Sequence, residues 1–461
     1  MRKTLYCMLG LLFVGCSDGN DSFNAQPPVG PSSLTINTVA VPEGLPGEMT
    51  RLVFRATLTE PQPGPVVIDY ETVAGSARAG VDYLDVLGSV EIPPGELSAD
   101  IPIEVLGDAE EEPAETVTLS FTVSENAEPT TTEAVGYIAN DDTACDAPYQ
   151  KADPNRWRVA AGEDPLNYAH RGGVIDFPEN TLYAYSEVAA LDAGIVLEMD
   201  VYQTADDELV IIHDLDVDRT TDGTGLIADL TLAELKQLDA AYWFVPGVGT
   251  PRDRPEEDYV FRGIATGQKP PPPGYSADDF RIPTLEEALA RYPDRLINLE
   301  LKPDLDGEGN YEAQMAALLR AYGRYDDLIA ASFVDEAANN FKAAAPCVHT
   351  SVPLDQGTVL VLGGIGPGVI PPVPEHVAFQ VPPDTSQISQ IPDSLFIEVV
   401  NEDFVADAHN ANLAVQVWTI NSCEDMLKMM ALGVDAIMTD RPVLLQQLLD
   451  TPRDQRSCEG L

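Results

Sequence analysis

The stretch that decides the fold reads NYAHRGG at residues 167–173 and LVIIHD at residues 209–214. Each segment is interpreted as the end of a β-strand followed by a histidine, His170 in the first and His213 in the second. An imidazole changes its protonation near neutral pH, so it is suited to acid/base catalysis. The two segments therefore predict a pair of proton-transferring groups at strand ends.

Two acids alternate with apolar residues between these segments, in LEMDV at residues 197–201. Side chains two positions apart on a strand point to the same face of the sheet. Glu198 and Asp200 can therefore both point to one ion. Two histidines and two carboxylates close to strand ends predict a combined acid/base and metal site.

The surrounding chain alternates strand-like and helix-like patterns. Strands are predicted at residues 195–202, 208–213, 296–302, 328–333, 348–352, 414–418 and 436–439. Helices are predicted at residues 181–193, 232–237, 284–291, 312–322 and 422–432. Such alternation predicts an α/β fold with a parallel sheet.

Further motifs follow in order along this region. They are HRG at 170–172, PENT at 178–181, ExDV at 198–201, HD at 213–214, RTT at 219–221, IPTL at 282–285, ELK at 300–302, VWTIN at 417–421 and GVDAIMTDRP at 433–442. Over roughly residues 165 to 450 the chain thereby resembles the glycerophosphodiester phosphodiesterases. The resemblance implies a (β/α)8 TIM-type barrel at residues 166–452, with the active site at the C-terminal ends of its strands.

The resemblance and the side-chain chemistry suggest the same roles. Phosphodiester cleavage needs neutralised phosphoryl oxygens, a base for the nucleophile and an acid for the leaving alkoxide. A divalent metal ion, magnesium or calcium, is expected on Glu198, Asp200 and Glu300. His170 and His213 are expected to serve as the acid and the base, in either order.

Two cationic side chains and one aromatic side chain are expected to bind the substrate. Arg171 offers a planar fork that matches phosphate oxygens, and Lys302 shares the inward face with Glu300. The resemblance implies that Trp418 lines the pocket beside the glycerol or the alcohol.

The implied reaction is hydrolysis of a glycerophosphodiester, a deacylated phospholipid, to glycerol 3-phosphate and an alcohol. A glycerol hydroxyl would attack phosphorus to give a cyclic phosphate, which water then opens. Two alternatives stay open. One is a lysophospholipase D that acts on lysolipids, and the other is a catalytically inactive, calcium-dependent surface adhesion protein.

Residues 34–143 carry a different pattern. Short alternating strands are predicted at residues 52–58, 66–72, 89–92, 100–105 and 116–121. Turns rich in Pro, Gly and Asp separate them, and no helical period intervenes. This spacing predicts an all-β, immunoglobulin-like antiparallel sandwich.

The loops of this sandwich resemble those of a Calx-beta domain, with GVDY at 80–83, IPPG at 92–95 and NDD at 140–142. In that family, acids at strand ends gather at one tip and bind calcium, which prefers several oxygen ligands. The candidate ligands by position are Glu43, Asp82, Asp108, Glu112, Glu115, Asp141 and Asp142. The alternative is a spacer or adhesion module whose acids only solvate its loops.

The charge balance limits the partners of the chain. It has 26 Lys and Arg against 76 Asp and Glu, a net charge of −50. Such a field repels nucleic acid and anionic membrane surfaces. The expected partner is a small-molecule substrate, with no nucleic acid and no protein partner predicted.

Residues 1–16 are interpreted as an export signal, in which two basic residues precede an apolar run at residues 5–14. That run is too short to span a bilayer. FVGC at its end resembles a bacterial lipobox, in which Cys16 becomes the lipidated first residue. Ordinary cleavage to a soluble secreted protein is the alternative. Residues 17–33 are polar and predict a flexible tether.

The lipobox implies a protein anchored to the bacterial cell envelope. It would lie on the outer membrane or face the periplasm, or be displayed at the cell surface. Residues 144–165 form a predicted linker and residues 453–461 a C-terminal tail. An insertion at residues 242–281 contains a polyproline run and is interpreted as a specificity loop or partial lid, or else as a surface excursion.

Export also permits disulfides. Four cysteines remain beyond residue 16, which allow three complete pairings. Cys145 precedes the first strand of the implied barrel and Cys458 follows its last helix, so both are expected at the N-terminal face. Cys145–Cys458 is therefore the favoured pair.

Overall fold

The computed structural model describes residues 32–123, 126–142, 145, 151–302, 311–353, 356–357, 375–387 and 396–459. The predicted signal peptide, Cys16 and most of the predicted tether lie outside the described residues. Within the described ranges, no helix has both the length and the apolarity needed to cross a bilayer.

The N-terminal part forms two sheets that enclose one core. The strands are β1 Ser32–Ile36, β2 Val39–Pro42, β3 Met49–Leu58, β4 Val66–Ala74, β5 Leu87–Ile92, β6 Ser98–Leu106, β7 Glu115–Val123, β8 Ala127–Pro129 and β9 Glu133–Ala139. One sheet has the order β6-β3-β1-β8 and the other β2-β9-β7-β4-β5. Alternate residues such as Leu52 and Phe54 are buried, as expected where one sheet face packs on a core. The predicted sandwich is confirmed.

The sandwich is not wholly antiparallel, and that part of the prediction is wrong. β1 runs parallel to β8, and β2 runs parallel to β9. The reason is that the first two strands of the chain, β1 and β2, belong to different sheets. In each sheet the first strand lies beside a strand from the end of the domain, β8 or β9, that runs in the same direction.

The C-terminal part is a barrel of eight parallel strands. They are β10 Leu166–Ala169, β11 Val196–Gln203, β13 Ile297–Leu301, β14 Leu328–Ala331, β15 His349–Thr350, β16 Ala378–Val381, β17 Ala414–Val417 and β18 Ala436–Thr439. Neighbours in sequence are neighbours in the sheet, and β10 pairs with β18. A parallel bridge between Ser351 and Ala378 joins β15 to β16. The predicted (β/α)8 barrel is therefore confirmed.

One predicted strand lies outside this ring. β12, Leu209–Ile211, pairs antiparallel with the C-terminal half of β11, with Ile211 opposite Val201. β11 is long enough to extend past the rim, and β12 returns along it toward the pocket. The expectation that residues 208–213 belong to the parallel alternation is wrong, and the ring instead includes β16, which is absent from the predicted set.

Helices lie outside the barrel strands. They are α1 Leu182–Leu191, α2 Leu232–Leu235, α3 Leu285–Arg291, α4 Tyr311–Ala321, α5 Asp335–Ala344, α6 Glu402–Asn410, α7 Cys423–Leu432 and α8 Pro442–Asp450. Several begin at a residue whose side chain accepts a backbone N–H of the first turn, for example Thr181, Thr284 and Ser422. These caps satisfy donors that the helix leaves free, and they explain why the predicted helix starts agree within one or two residues.

The N-terminal end of the barrel is filled from outside the strands. Trp157 is fully buried in one cluster with Tyr168, Val196 and Ile329. Its indole Nε1 donates to Nδ1 of His349 at 2.7 Å. Because this end is filled, the interior opens toward the C-terminal ends of the strands.

The disulfides are Cys145–Cys347 and Cys423–Cys458, so the favoured pair Cys145–Cys458 is wrong. Cys347 comes just before β15 and therefore lies at the same barrel face as Cys145. The C-terminal tail does not stop at that face. It passes the last turns of α7 and α8, where Arg456 contacts Met430 and the Leu449 carbonyl, and then reaches the start of α7.

Candidate functional site

A tight turn after β10 carries His170 and Arg171 to the mouth of the barrel. Arg171 has a φ of +53°, and Gly173, two residues later, has a φ of +96°. A Cβ on Gly173 would lie 2.7 Å from Cγ of Pro442, so glycine is needed both for the backbone angle and for space. The turn directs the peptide N–H of Arg171 at Oε2 of Glu198, 2.7 Å away.

Three carboxylates meet beneath this turn. Glu198 and Asp200 lie on β11, and Glu300 lies opposite Asp200 on the neighbouring β13. Each offers one oxygen, and these oxygens lie within 4.8 Å of one another. Within the described part of the chain, Oδ1 of Asp200 accepts no hydrogen bond and lies 3.1 Å from Nζ of Lys302. A set of hard oxygen donors of this kind fits magnesium or calcium.

Burial and mutual repulsion distribute the charge of this cluster unevenly. Burial, together with the charges of Asp200 and Glu300, raises the pKa of Glu198 well above its usual value. Burial also opposes ionisation of Asp200, but Lys302 and Arg171 more than offset it and hold the pKa of Asp200 below its usual value. A bound divalent cation would favour the ionised form of Glu198.

Two cations adjoin the carboxylates. Nζ of Lys302 lies 2.6 Å from Oε1 of Glu300, and Nε of Arg171 lies 3.5 Å from Oδ2 of Asp200. Burial disfavours the ammonium ion, but the charges of Asp200 and Glu300 raise the pKa of Lys302 above its usual value. Both predicted phosphate ligands are therefore cationic at neutral pH.

His170 is held by a carboxylate from the last barrel strand. Its Nδ1 lies 2.6 Å from Oδ1 of Asp440, and Nδ2 of Asn421 donates to Oδ2 of the same carboxylate at 2.6 Å. Burial raises the pKa of Asp440, but the contact with His170 outweighs it and the pKa is lowered. Asp440 follows β18 within the quoted TDRP sequence, and this position at a strand end is the signal that could have identified it.

His213 is held in the same way. Its Nδ1 lies 2.6 Å from Oδ1 of Asp214, and the preceding Ile212 N–H donates to the carbonyl of Asp200 at 3.0 Å. Burial opposes ionisation of Asp214, but His213 and Arg219 lower its pKa. Each histidine thus uses Nδ1 for a carboxylate, and Nε2 is the nitrogen that remains for proton transfer.

All these groups surround one pocket of about 210 Å³ at the barrel mouth. Every predicted active-site residue lines it except Asp200, which is fully buried behind the others. Trp418 contributes one wall and meets the ring of Phe333 edge-on, with 5.4 Å between centroids. Phe333 is 46% exposed, so the mouth is partly apolar.

A chain of amides that was not predicted begins at the pocket, which Asn298 and Gln380 line. Nε2 of Gln380 donates to Oδ1 of Asn298 at 2.5 Å and to Oε1 of Gln416 at 2.9 Å. Nε2 of Gln416 in turn donates to the hydroxyl of Tyr168 at 2.7 Å. Asn298 and Gln416 each precede a predicted site residue by two positions on a strand, and this period was the available signal.

The insertion at residues 242–281 was interpreted as a specificity loop or partial lid, or else as a surface excursion. None of its residues lines the pocket. Phe261 and Phe280 pack on Tyr183 of α1, and Arg262 lies over the ring of Tyr242 at 4.1 Å. The insertion therefore packs against the outside of the barrel.

The seven predicted calcium ligands lie together at one end of the sandwich. Their oxygens form three overlapping groups: Glu43 with Asp141 and Asp142, Glu43 with Asp108 and Glu112, and Asp82 with Glu112 and Glu115. Glu43 is 3% exposed, and its Oε1 accepts no hydrogen bond from the described residues.

The acids of this cluster raise one another's pKa. Burial and the charges of neighbouring acids raise the pKa of Glu43 to about 7, and burial with the nearby Asp82 raises that of Glu115 to about 7. Buried, unpaired carboxylate oxygens that face one another fit a hard cation.

Comparison with known proteins connects both regions to described families. The model of the glycerophosphoryl diester phosphodiesterase family matches residues 170–444, and the Calx-beta domain model matches residues 43–145. A glycerophosphodiester phosphodiesterase of Caldanaerobacter subterraneus subsp. tengcongensis is 29% identical over 286 residues, which cover 62% of this chain and 97% of the relative. One from Bacillus subtilis is 26% identical over 289 residues, covering 61% and 86%.

Solved structures include a phosphodiesterase from Oleispira antarctica in complex with the product sn-glycerol-3-phosphate. It is 26% identical with a TM-score of 0.44, and the match covers 62% of this chain and 98% of that one.

Proposed function

Because this chain belongs to the glycerophosphoryl diester phosphodiesterase family, we propose that it hydrolyses glycerophosphodiesters to glycerol 3-phosphate and an alcohol. The observation that supports this most is the convergence of His170 and His213 on one pocket. Each is oriented by a carboxylate through Nδ1, the arrangement that a proton-transferring imidazole requires.

The proposed reaction assigns a task to each side chain. One histidine removes the proton of the glycerol hydroxyl next to the phosphate, and that oxygen bonds to phosphorus. The other histidine donates a proton to the departing alcohol, which leaves a cyclic phosphate that water opens to glycerol 3-phosphate. Arg171 and Lys302 hold the phosphoryl oxygens, and Trp418 packs beside the glycerol or the alcohol.

Glu198, Asp200 and Glu300 would hold the divalent ion. Magnesium or calcium, when bound there, supplies charge stabilisation to the phosphoryl oxygens. Asp200 and Glu198 are almost fully buried. A low local dielectric strengthens each of these electrostatic contacts.

The test is release of glycerol 3-phosphate from glycerophosphocholine by the purified chain, with chelator, magnesium and calcium compared. Lysophosphatidylcholine is assayed beside it, since the apolar mouth formed by Phe333 and Trp418 suits an acyl chain. We expect turnover of glycerophosphocholine that depends on a divalent ion. Turnover of the lysolipid alone would show that the protein is a lysophospholipase D instead. Turnover of neither substrate would favour an inactive adhesion protein.

We also propose that the sandwich binds calcium through its acidic cluster. Calcium stabilises a folded domain by about 2.7 kcal/mol when present at 100 times its dissociation constant. Since 1 kcal/mol shifts the midpoint of a domain of this size by about 4–8 °C, we expect calorimetry to show a higher unfolding temperature with calcium than with chelator. Glu43→Gln should abolish the shift of the sandwich's own unfolding transition, whereas Asp69→Asn, an exposed acid of β4, should retain it. An equal shift in both variants would exclude this cluster.

The same cluster predicts a pH dependence for the calcium-free protein. The pKa values of Glu43 and Glu115 are about 7 when folded, above their unfolded value near 4.5. The folded state therefore binds more protons between these values, and stability falls as pH rises through that window. Thermal unfolding in chelator should show a lower midpoint at pH 8 than at pH 5, and saturating calcium should reduce the difference. A midpoint that rises over this range would contradict the prediction.

We further propose that the chain is exported and anchored to the bacterial envelope through a lipid on Cys16. The support is the sequence alone: a basic start, a short apolar run and the FVGC segment. Cys16→Ser should move the protein from the membrane fraction to the soluble fraction and remove incorporation of labelled fatty acid. A wild-type protein that is soluble and unlabelled would show that ordinary signal cleavage operates instead.

A further inference from the structure

Arg219 does not line the pocket, but it contacts two carboxylates, Asp214 and Glu179, that lie beside pocket residues. Its Nε donates to Oδ2 of Asp214 at 2.5 Å. Its Nη1 and Nη2 donate to Oε2 and Oε1 of Glu179 at 2.6 and 2.7 Å. One planar guanidinium thus binds two carboxylates on different edges, a geometry that its fixed fork of donors allows.

Each of these carboxylates continues to a residue of the pocket. Oδ1 of Asp214 lies 2.6 Å from Nδ1 of His213. Oε1 of Glu179 accepts from Nη1 of Arg171 at 3.3 Å. The contacts form an unbroken chain from His213 to Arg171, a proposed proton-transfer group at one end and a proposed phosphate ligand at the other.

Charge makes the central position of Arg219 important. Glu179 is 3% exposed, and burial alone would raise its pKa, but the contacts with Arg219 and Arg171 lower it. A buried carboxylate that loses one of two cations becomes an uncompensated charge, which is strongly unfavourable. Without the guanidinium of Arg219, Glu179 would have only Arg171 as a cationic partner among these contacts and would compete with Asp200 for it.

Residues of the insertion form hydrogen bonds with Arg219 and with segments next to it. Nε1 of Trp243 donates to the carbonyl of Thr221 at 2.8 Å, two residues beyond Arg219. Oγ1 of Thr250 lies 3.4 Å from Nη1 of Arg219 itself. Gly247 N–H donates to the carbonyl of Ile175, in the loop that follows the Arg171 turn, at 2.8 Å. The insertion therefore contacts Arg219, the segment just after it, and the loop that follows the Arg171 turn.

We propose that Arg219 is a positioning residue that sets the placement of His213 relative to Arg171, and that the insertion acts on the pocket through Arg219 instead of by covering it. This inference rests on the proposed function, since it concerns how the same pocket is aligned. A glycerophosphodiester that lies between the phosphate ligand Arg171 and the acid/base group His213 requires both side chains to be correctly placed at the same time. Small misplacements of catalytic groups greatly lower the rate.

The first test is Arg219→Lys, with Arg254→Lys as the matched control. Lysine keeps the charge but offers a single point donor that cannot bind both carboxylates in the observed geometry. Arg254 is an exposed arginine of the insertion, and its backbone N–H donates to the hydroxyl of Tyr259. We expect kcat/KM for glycerophosphocholine to fall by about 10–100-fold, in line with loss of a group that orients a catalytic ligand. The control should keep wild-type kcat/KM.

A double-mutant cycle distinguishes positioning from simple stabilisation. Asp214→Asn disrupts the link from Arg219 to His213, and Glu179→Gln disrupts the link from Arg219 to Arg171. Residues of one connected network give non-additive effects. We expect their effects on kcat/KM to be coupled in the wild-type background and additive in the Arg219→Lys background. Coupling that persists without Arg219, or a lower unfolding temperature with unchanged kcat/KM, would overturn the inference.

A spectroscopic readout separates this inference from the proposed function. The chain has five histidines, so nitrogen-15 labelling of histidine alone gives few imidazole signals. The His213 signals, assigned by their loss in His213→Gln, should shift in Arg219→Lys and stay in place in Arg254→Lys. If the wild type turns over no phosphodiester, the proposed function fails and these signals still decide the inference: unchanged His213 signals in Arg219→Lys would refute it.

Discussion

His213→Gln is expected to lower kcat for glycerophosphocholine by about 10²–10⁴-fold, the range that general acid/base catalysis contributes. Glutamine can still form a hydrogen bond near Asp214 but cannot transfer a proton at neutral pH. His170→Gln should have a similar effect. A substrate that releases 4-nitrophenolate separates the two roles, because this leaving group departs without a proton. The variant that lacks the acid should regain most of its rate on it, and the variant that lacks the base should not.

The matched control is His409→Gln. Nε2 of His409 lies 2.7 Å from Oδ2 of Asp435, so this histidine is also held by a carboxylate, but it lies on α6 and does not line the pocket. Its replacement should leave kcat at the wild-type value. Full turnover by both His170→Gln and His213→Gln would show that the imidazoles orient the site without transferring protons.

The parts of the site that could be predicted are those that strand geometry determines locally. Glu198 and Asp200 share a face because they are two residues apart, and parallel register with β13 then places Glu300 beside Asp200. The position of His213 was also right, although the reason was not. A short antiparallel return along β11, and not a barrel strand, places it next to Asp200.

The rest of the site depends on contacts between distant parts of the chain. His170 and Asp440 are 270 residues apart, and they meet because β10 and β18 are neighbours in the closed ring. Only ring closure establishes that pairing, so neither motif on its own could reveal the bond. Cys458 illustrates the same limit, since its partner depends on the path of a tail that has no periodic pattern.

Asp200→Asn is expected to weaken binding of magnesium or calcium to the barrel by more than about 100-fold, the upper end for loss of a group that merely supports a metal ligand. The substitution keeps the shape of the side chain but removes a charge from a cluster of three acids. It also leaves Lys302 and Arg171, which lie 3.1 and 3.5 Å from that carboxylate, as cations without their shared partner. Both changes act against a bound cation, by weaker attraction and by stronger repulsion.

Calorimetric titration of the chelator-treated protein measures this directly and does not require turnover. Asp207→Asn is the matched control, because Asp207 is exposed on the turn between β11 and β12 and has a φ of +62°, which asparagine adopts readily. The sandwich cluster contributes equally to both titrations, so their difference isolates the barrel. Turnover should be lost with Asp200→Asn and kept with Asp207→Asn. Wild-type metal affinity in Asp200→Asn would mean that Lys302 and Arg171, and no divalent ion, balance the charge of the three carboxylates. These two side chains alone would then have to stabilise the charge of the phosphoryl group.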